Sequence, residues 1–502
     1  MTRRSAFFLG VLAIAGGLVV AVARARAEEC SLALWRFDSP DESAHKIVPP
    51  SSYIARMARP QSFFTQLGSG KVVAKNQYEE AFRRIVKKEP AKYVAEQPFR
   101  GVAKLGDEEF AFVLDKSDAK QIAYDRLYFD ANHNGDLTDD RRIDAKPAFA
   151  PMVAAGHASS EFPRIDVSFR VAGSKVDCAF RLSVYENCSG DFKYASCSIT
   201  SAACRVGDIA VAGKRHHLLL MDFNSNGRFD DEPKVRDEVQ MPDGQLYIEP
   251  GDLLFVDPGE KFESGYLGYS YVVANGNQIS KLLSLDGKLY EMKISPSGDK
   301  LTLNPSSAPT GTVTGPLDGF RAVVRNGDYG FLNIACGKSS GAIVPAGKWK
   351  LTSYTIDQVA YGGLPAPGGA KPAAPAKTSI LEGLLGALTG GLPARITPPG
   401  FGRSLVSCEA TNASPVVTVR EGKTVALPFG PPYKPIVKID AVRSGPNGAV
   451  DKAQVSMQLS LVGSGGEVCN DMMVQGGRPS SPKFAILGPK DAVVDSGTFK
   501  YG

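Results

Sequence analysis

The sequence predicts a mainly β fold, built of tandem β-hairpin or β-sandwich-like domains with one short N-terminal helix. Three observations predict it. Short runs of alternating apolar and polar residues recur between Gly, Pro and Asn turn signals, the pattern of half-buried strands. Only residues 76–89 carry a clear helical spacing. One loop sequence, D-x-N-x-N-G followed by an apolar residue two places on and then by acids, occurs at 130–140 and again at 222–232. At 502 residues the chain exceeds one ordinary core, and at about 100–200 residues per domain it has room for two to four domains.

Residues 1–27 read as an export signal. Arg3 and Arg4 precede an uncharged apolar run over 6–22, and Ala25-Arg26-Ala27 offers a small-residue cleavage site before Glu28. The apolar run has the length of the shortest spanning helices, so an uncleaved membrane anchor is the alternative. Removing this segment takes away four of the 58 basic residues and none of the 53 acidic ones. The remainder is close to neutral, which speaks against a nucleic-acid partner.

Residues 28–105 form a mixed segment: a short strand at 30–37, an irregular stretch to about residue 75, then the helix. Asn76 is placed to cap that helix with Glu79 three residues on. Tyr78, Phe82, Ile85 and Val86 share one face, Pro90 stops the helix, and Arg83, Arg84, Lys87 and Lys88 form a solvated basic face. Residues 106–250 read as a duplicated β-unit. Strands at 109–114 and 124–129 lead into the first loop and strands at 209–212 and 217–221 into the second, with Gly106-Asp107 and Gly207-Asp208 opening the two copies. Strands at 165–171 and 176–184 lie between.

Residues 251–361 continue as a β domain, with strands at 289–294, 301–303 and 349–356. Residues 362–400 are rich in Pro, Ala and Gly and read as a linker or insertion, with an apolar helical face over 379–392 made by Ile380, Leu381, Leu384, Leu385 and Leu388. Residues 401–502 read as a C-terminal β-sandwich-like domain, with strands at 416–419, 424–427, 436–441, 454–462 and 484–486.

All eight cysteines lie beyond residue 27, and an even number in an exported chain predicts disulfides. Cys178, Cys188, Cys197 and Cys204 are close enough in sequence for two local bridges. No C-x-x-C is present, which disfavours zinc. The connectivity stays open at this level.

The repeated loop carries the clearest chemistry. Side-chain oxygens at positions one, three and five can converge on one hard cation while the Gly at position six makes the sharp turn. The plain alternative is a pair of hairpin turns, since Asn134-Gly135 and Asn226-Gly227 are turn signals on their own. The two copies resemble the Ca²⁺ loops of EF-hand and dockerin-type proteins over about a dozen residues each. The resemblance implies Asp130, Asn132 and Asn134, then Asp222, Asn224 and Asn226, as side-chain ligands. Asp136 and Arg228 fall at position seven, where such loops offer a backbone carbonyl. At position twelve the resemblance calls for Glu, but Arg141 and Pro233 stand there. The acids come earlier, as Asp139 and Asp140 in one copy and Asp230, Asp231 and Glu232 in the other. The flanks read as strands, so the implied site is a static structural Ca²⁺ site without the opening of a helix pair.

No catalytic constellation is legible, and the sequence leans away from an enzyme. Residues 337–341 match G-x-S-x-G, but Pro345 and Gly347 follow where a helix would have to start. Asp495-Ser496-Gly497 has no second copy to pair with, and the stretch 68–71 lacks the earlier Gly of a phosphate loop. His216-His217 are expected to alternate across a strand and His133 to be solvated. Tyr266, Tyr269 and Tyr271, with Phe262, could form a platform for sugar rings or pack in a core.

The expectation is an exported, calcium-binding, β-rich protein of structural, surface or ligand-binding type. Its partner would be an extracytoplasmic protein or glycan, and it would touch a membrane only if the N-terminal segment stays uncleaved. A secreted hydrolase for glycans or esters, with scattered carboxylates, and a carbohydrate-binding protein are the alternatives.

Overall fold

The computed structural model describes residues 27–37, 58–67, 78–146, 156–189, 193–258, 273, 275–359, 403–443, 454–473 and 478–500. The signal segment 1–26, the stretch 68–71, the tyrosine group at 262–271 and the Pro/Ala/Gly-rich stretch 362–400 lie outside them. The fold is mainly β, in several antiparallel sheets. Strands Phe99–Leu105, Glu108–Asp115, Arg126–Phe129 and Ile143–Asp144 form a meander. Phe110, Phe112 and Leu114 point into the main core, while Ala111 and Val113 are sealed on the other face by Phe82 of the helix.

That helix is Glu79–Ile85, shorter than the predicted 76–89. Val86 is already extended, because the chain leaves the helix to bond the first loop. The N–H groups of Lys87 and Lys88 donate to the Gly135 carbonyl (2.8 and 3.1 Å), and that of Leu137 donates to the Lys88 carbonyl (3.0 Å). Tertiary pairing here overrides local helix propensity. The basic side chains are drawn into ion pairs: Arg83 with Glu79, Arg84 with Glu109, and Lys88 with Asp136.

Two further sheets, together with the one that pairs Glu28–Ser31 with Lys300–Pro305, complete the first core. In one, Gln61–Gln66, Tyr194–Ser201, Ser174–Asn187 and His157–Glu161 lie side by side, and Ile165–Val171 takes the other half of the long Ser174–Asn187 strand. In the other, Ala33–Arg36, Ala203–Val211, Lys214–Met221, Leu253–Val256 and Asn277–Gln278 follow in order. Glu28–Ser31 pairs with Lys300–Pro305. The enclosed core runs from Leu32 to Leu303, so residues on both sides of position 250 share it.

The duplication is narrower than the sequence suggests. Gly106-Asp107 does connect two strands, but Gly207-Asp208 lies inside Ala203–Val211. Gly207 is there because Ser31 and Leu32 leave no space for a side chain: an added Cβ would stand 2.7 Å from the Ser31 carbonyl oxygen. What repeats is the loop with the strand that leads into it.

A second core, from Leu282 to Phe429, lies between two sheets. The larger runs Gly330–Cys336, Phe320–Asn326, Gly347–Val359, Arg403–Glu409, Val468–Met473, Gln454–Val462, Lys434–Arg443. The smaller holds Gly341–Pro345, Thr310–Thr314 and Thr424–Ala426, the last pair parallel. Trp349 is buried between them with its indole N–H donated to the Pro345 carbonyl (2.8 Å). Val359 and Arg403 face each other across one ladder. The stretch between them is therefore an insertion into this β-unit and not a link between units. The G-x-S-x-G stretch merely joins Gly330–Cys336 to Gly341–Pro345.

All eight cysteines are unbridged in this structure, so the two local bridges expected among Cys178, Cys188, Cys197 and Cys204 are absent. None of the four is a register partner of another. Cys178 faces Val167, Cys197 faces Val184 and Phe63, Cys204 faces Trp35, and Cys188 lies past the end of Ser174–Asn187.

Candidate metal centre

Strand Arg126–Phe129 runs into the first Asx-rich loop and strand Lys214–Met221 into the second. The two loops turn left-handed at the same two positions. Position four is left-handed in both (His133 φ 58°, Ser225 φ 59°), and so is the position-six glycine (Gly135 and Gly227, each φ 81°). Position eight drives an apolar side chain, Leu137 or Phe229, fully into the interior. The leading aspartates Asp130 and Asp222 are completely buried.

The side-chain bonding also repeats. Asp130 Oδ1 accepts the Asn134 N–H (3.0 Å) and Oδ2 the Gly135 N–H (2.9 Å); Asp222 accepts those of Asn226 (3.0 Å) and Gly227 (2.9 Å) in the same way. Asn134 Oδ1 accepts the Asp136 N–H (2.7 Å), and Asn226 Oδ1 that of Arg228 (2.8 Å). In the first loop Asn132 Oδ1 accepts the Asn134 N–H as well (3.0 Å). The position-five amides close each loop: Asn134 Nδ2 donates to Asp139 (2.8 Å) and Asn226 Nδ2 to Asp231 (2.6 Å). The position-three amides of Asn132 and Asn224 point to the same carboxylates at 3.5 and 3.1 Å.

Each loop has a third carboxylate, and the two loops obtain it differently. In the first it is Asp140, which the Ala131 and Asn132 N–H groups bond. In the second it is Asp252, which precedes Leu253–Val256 and which the sequence reading missed. Its Oδ1 accepts the Phe223 N–H and its Oδ2 the Asp231 N–H, both at 2.9 Å. Pro250-Gly251-Asp252 carries no local signal of such a role, because only the fold brings it to the loop.

Crowding of acids shows in their titration. Burial, then the Asp130 charge, pushes Asp140 up to about 6. Burial and Asp231 push Asp222 up to about 7, while burial with Asp222 and Asp231 drives Asp252 well above the carboxylate range. Asp136 moves the other way, to about 2, held by hydrogen bonds from Lys88 and Thr138.

Two oxygens point to an unmet demand. Asp140 Oδ2 and Asn224 Oδ1 are buried without a hydrogen-bond partner, one in each loop. Such orphaned acceptors cost about 1–3 kcal/mol apiece. A hard cation that takes oxygen ligands is one partner that would satisfy them.

Not every residue singled out by sequence is turned inward. Arg228 grips Asp230 with two hydrogen bonds (3.1 and 3.0 Å) and reaches Asp107 at 3.4 Å, leaving its main-chain carbonyl as its contribution to the loop. Asp136 is held by Lys88 (2.8 Å). Glu232 points towards Gly330. Among the described residues no group of three or more His, Cys, Asp and Glu side chains is gathered as a metal cluster.

Both glycines are locked from outside. A Cβ on Gly135 would stand 2.5 Å from the Ile85 carbonyl oxygen. One on Gly227 would stand 2.4 Å from the Phe169 ring, and the Gly106 N–H donates to the Asn226 carbonyl (2.6 Å). Compared with family models, with curated proteins and with solved structures, the chain matches none.

Proposed function

We propose that this chain is an exported calcium-binding protein of structural, surface or ligand-binding type, in which each Asx-rich loop holds one Ca²⁺. One observation carries the reading. The two loops share their left-handed positions and their aspartate-to-backbone bonds, and each leaves one buried oxygen unpaired. The first site would draw on Asp130, Asn132, Asn134, the Asp136 carbonyl, Asp139 and Asp140. The second would draw on Asp222, Asn224, Asn226, the Arg228 carbonyl, Asp231 and Asp252.

Bound Ca²⁺ would supply positive charge between carboxylates that otherwise repel, and it would order the Asn amides with their oxygens inward. The chain's own part is to hold the loop. Buried Leu137 and Phe229 anchor it, and the left-handed glycines turn it. Because the ion binds the folded state, it adds stability by mass action. Extracellular calcium is plentiful enough to fill sites of roughly 10⁻⁴–10⁻³ M affinity, which suits an exported protein. The test is thermal melting with chelator and with millimolar Ca²⁺ for the parent, Asp130→Ala and Asp222→Ala. The parent should melt higher with Ca²⁺, and each variant should lose part of that gain. Equal melting with and without Ca²⁺ in all three would overturn the reading.

A further inference from the structure

Seven of the eight cysteines sit in strands, and only two of them oppose each other. Cys408 of Arg403–Glu409 and Cys469 of Val468–Met473 are register partners in an antiparallel ladder. The register slips there by one residue: Ser407 faces Asp471, Cys408 faces Cys469, and Asn470 is the extra residue. Directly opposed residues of antiparallel strands have Cα atoms about 4.5–5.5 Å apart, inside the roughly 4.4–6.8 Å span of disulfides. The two thiols are hydrogen-bonded to each other, and Cys469 Sγ also reaches the Asp471 carbonyl at 3.5 Å. We propose that Cys408 and Cys469 form a disulfide that staples Arg403–Glu409 to Val468–Met473.

Exposure sets the order of the chemistry. Cys469 is partly exposed and Cys408 is fully buried. The Cys469 thiolate attacks an external disulfide, either of a small molecule or of a dithiol oxidase. One oxidant sulfur bonds to Cys469 Sγ and the other leaves as a thiolate that takes up a proton. Cys408 then gives up its proton, and its sulfur displaces the oxidant sulfur still attached to Cys469. The new Sγ–Sγ bond forms, and the second oxidant thiol departs. Two electrons and two protons have passed from the cysteines to the oxidant disulfide.

The surroundings hold the pair in place. Tyr354 Oη lies against the Cys408 thiol, donates to Glu467 Oε1 (3.0 Å) and meets Tyr433 Oη at 3.1 Å. Glu467 is itself buried and fixed by the N–H groups of Gly430 (2.6 Å) and Gly465 (2.9 Å). The bond does not depend on the calcium reading. Its formation in the cell depends on export, which is why the test supplies the oxidant directly.

The full chain is incubated with oxidised glutathione, unfolded, alkylated without reductant and digested for mass mapping. The expected result is one linked peptide pair containing Cys408 and Cys469, absent after reduction and absent from Cys469→Ser. The oxidised parent should also melt several degrees above its reduced form, with no such difference in the variant. Alkylation of both residues as free thiols, or their bonding to other cysteines, would overturn the proposal. The mapping is made on the parent, so it stands even if the variant fails to fold.

Discussion

Asp252 does for Phe223 what Asp140 does for Ala131: each carboxylate accepts the main-chain N–H at the second position of an Asx-rich loop. Asp140 belongs to the loop it serves, and Asp252 arrives from a separate strand. Two loops with the same left-handed positions thus satisfy the same second-position N–H from different parts of the chain.

Asp252→Asn should therefore weaken calcium binding at the second loop alone. We expect a loss of tenfold or more there, with the first loop unchanged, and Asp140→Asn should give the mirror result. Calorimetric titration of the two variants beside the parent reads both sites. Equal effects of Asp252→Asn on both sites would contradict the assignment.

Gly135→Ala should cost more stability than Gly213→Ala. Both glycines have φ 81°, but around Gly213 no atom lies within 4 Å of an added Cβ, whereas at Gly135 the Ile85 carbonyl oxygen stands at 2.5 Å. The left-handed conformation alone costs about 1 kcal/mol for alanine. The clash with fixed backbone should raise the loss at Gly135 to about 2–4 kcal/mol, measured by denaturant unfolding.

Glu186 should make stability fall as pH rises. It is fully buried, accepts the Tyr124 N–H on Oε1 and leaves Oε2 unpartnered. Burial pushes its carboxyl from 4.5 up to about 8. Between those values the unfolded chain has lost the proton and the folded chain keeps it. Its contribution is therefore fully present below about pH 4.5 and is lost as pH rises through about 8, by up to roughly 1.4 kcal/mol per pH unit. Glu186→Gln should flatten that slope in unfolding experiments from pH 5 to 8, and an unchanged slope would refute this origin.

Replacing residues 360–402 by a two-residue Asn-Gly turn should leave the second core folded. Val359 and Arg403 already face each other, as the ends of a hairpin must. A melting temperature within a few degrees of the parent is expected; collapse of the fold would show that the insertion packs on it.

Much of this was legible in the sequence where the signal is local. Strand 165–171 came from alternation alone, and the Asx loops from their repeated spelling. The burial of Leu137 and Phe229 follows from the apolar residue at the eighth position of each copy. What escaped was set by contacts distant in sequence. The helix ends at Ile85 because the Gly135 carbonyl takes the N–H groups of Lys87 and Lys88, and nothing near Val86 announces that. Gly207-Asp208 resembles a turn, but Gly207 is small because Ser31 and Leu32 press on it. Asp252 is invisible for the same reason, and so is the pairing of Cys408 with Cys469 across sixty residues that the register alone brings together.

The central claim is tested most directly by calorimetric Ca²⁺ titration of the chelator-stripped protein lacking residues 1–27. The account predicts two binding events per chain, with Asp130→Ala abolishing one and Asp222→Ala the other. No binding heat at millimolar Ca²⁺ in the parent would contradict it and leave the loops as paired Asx turns.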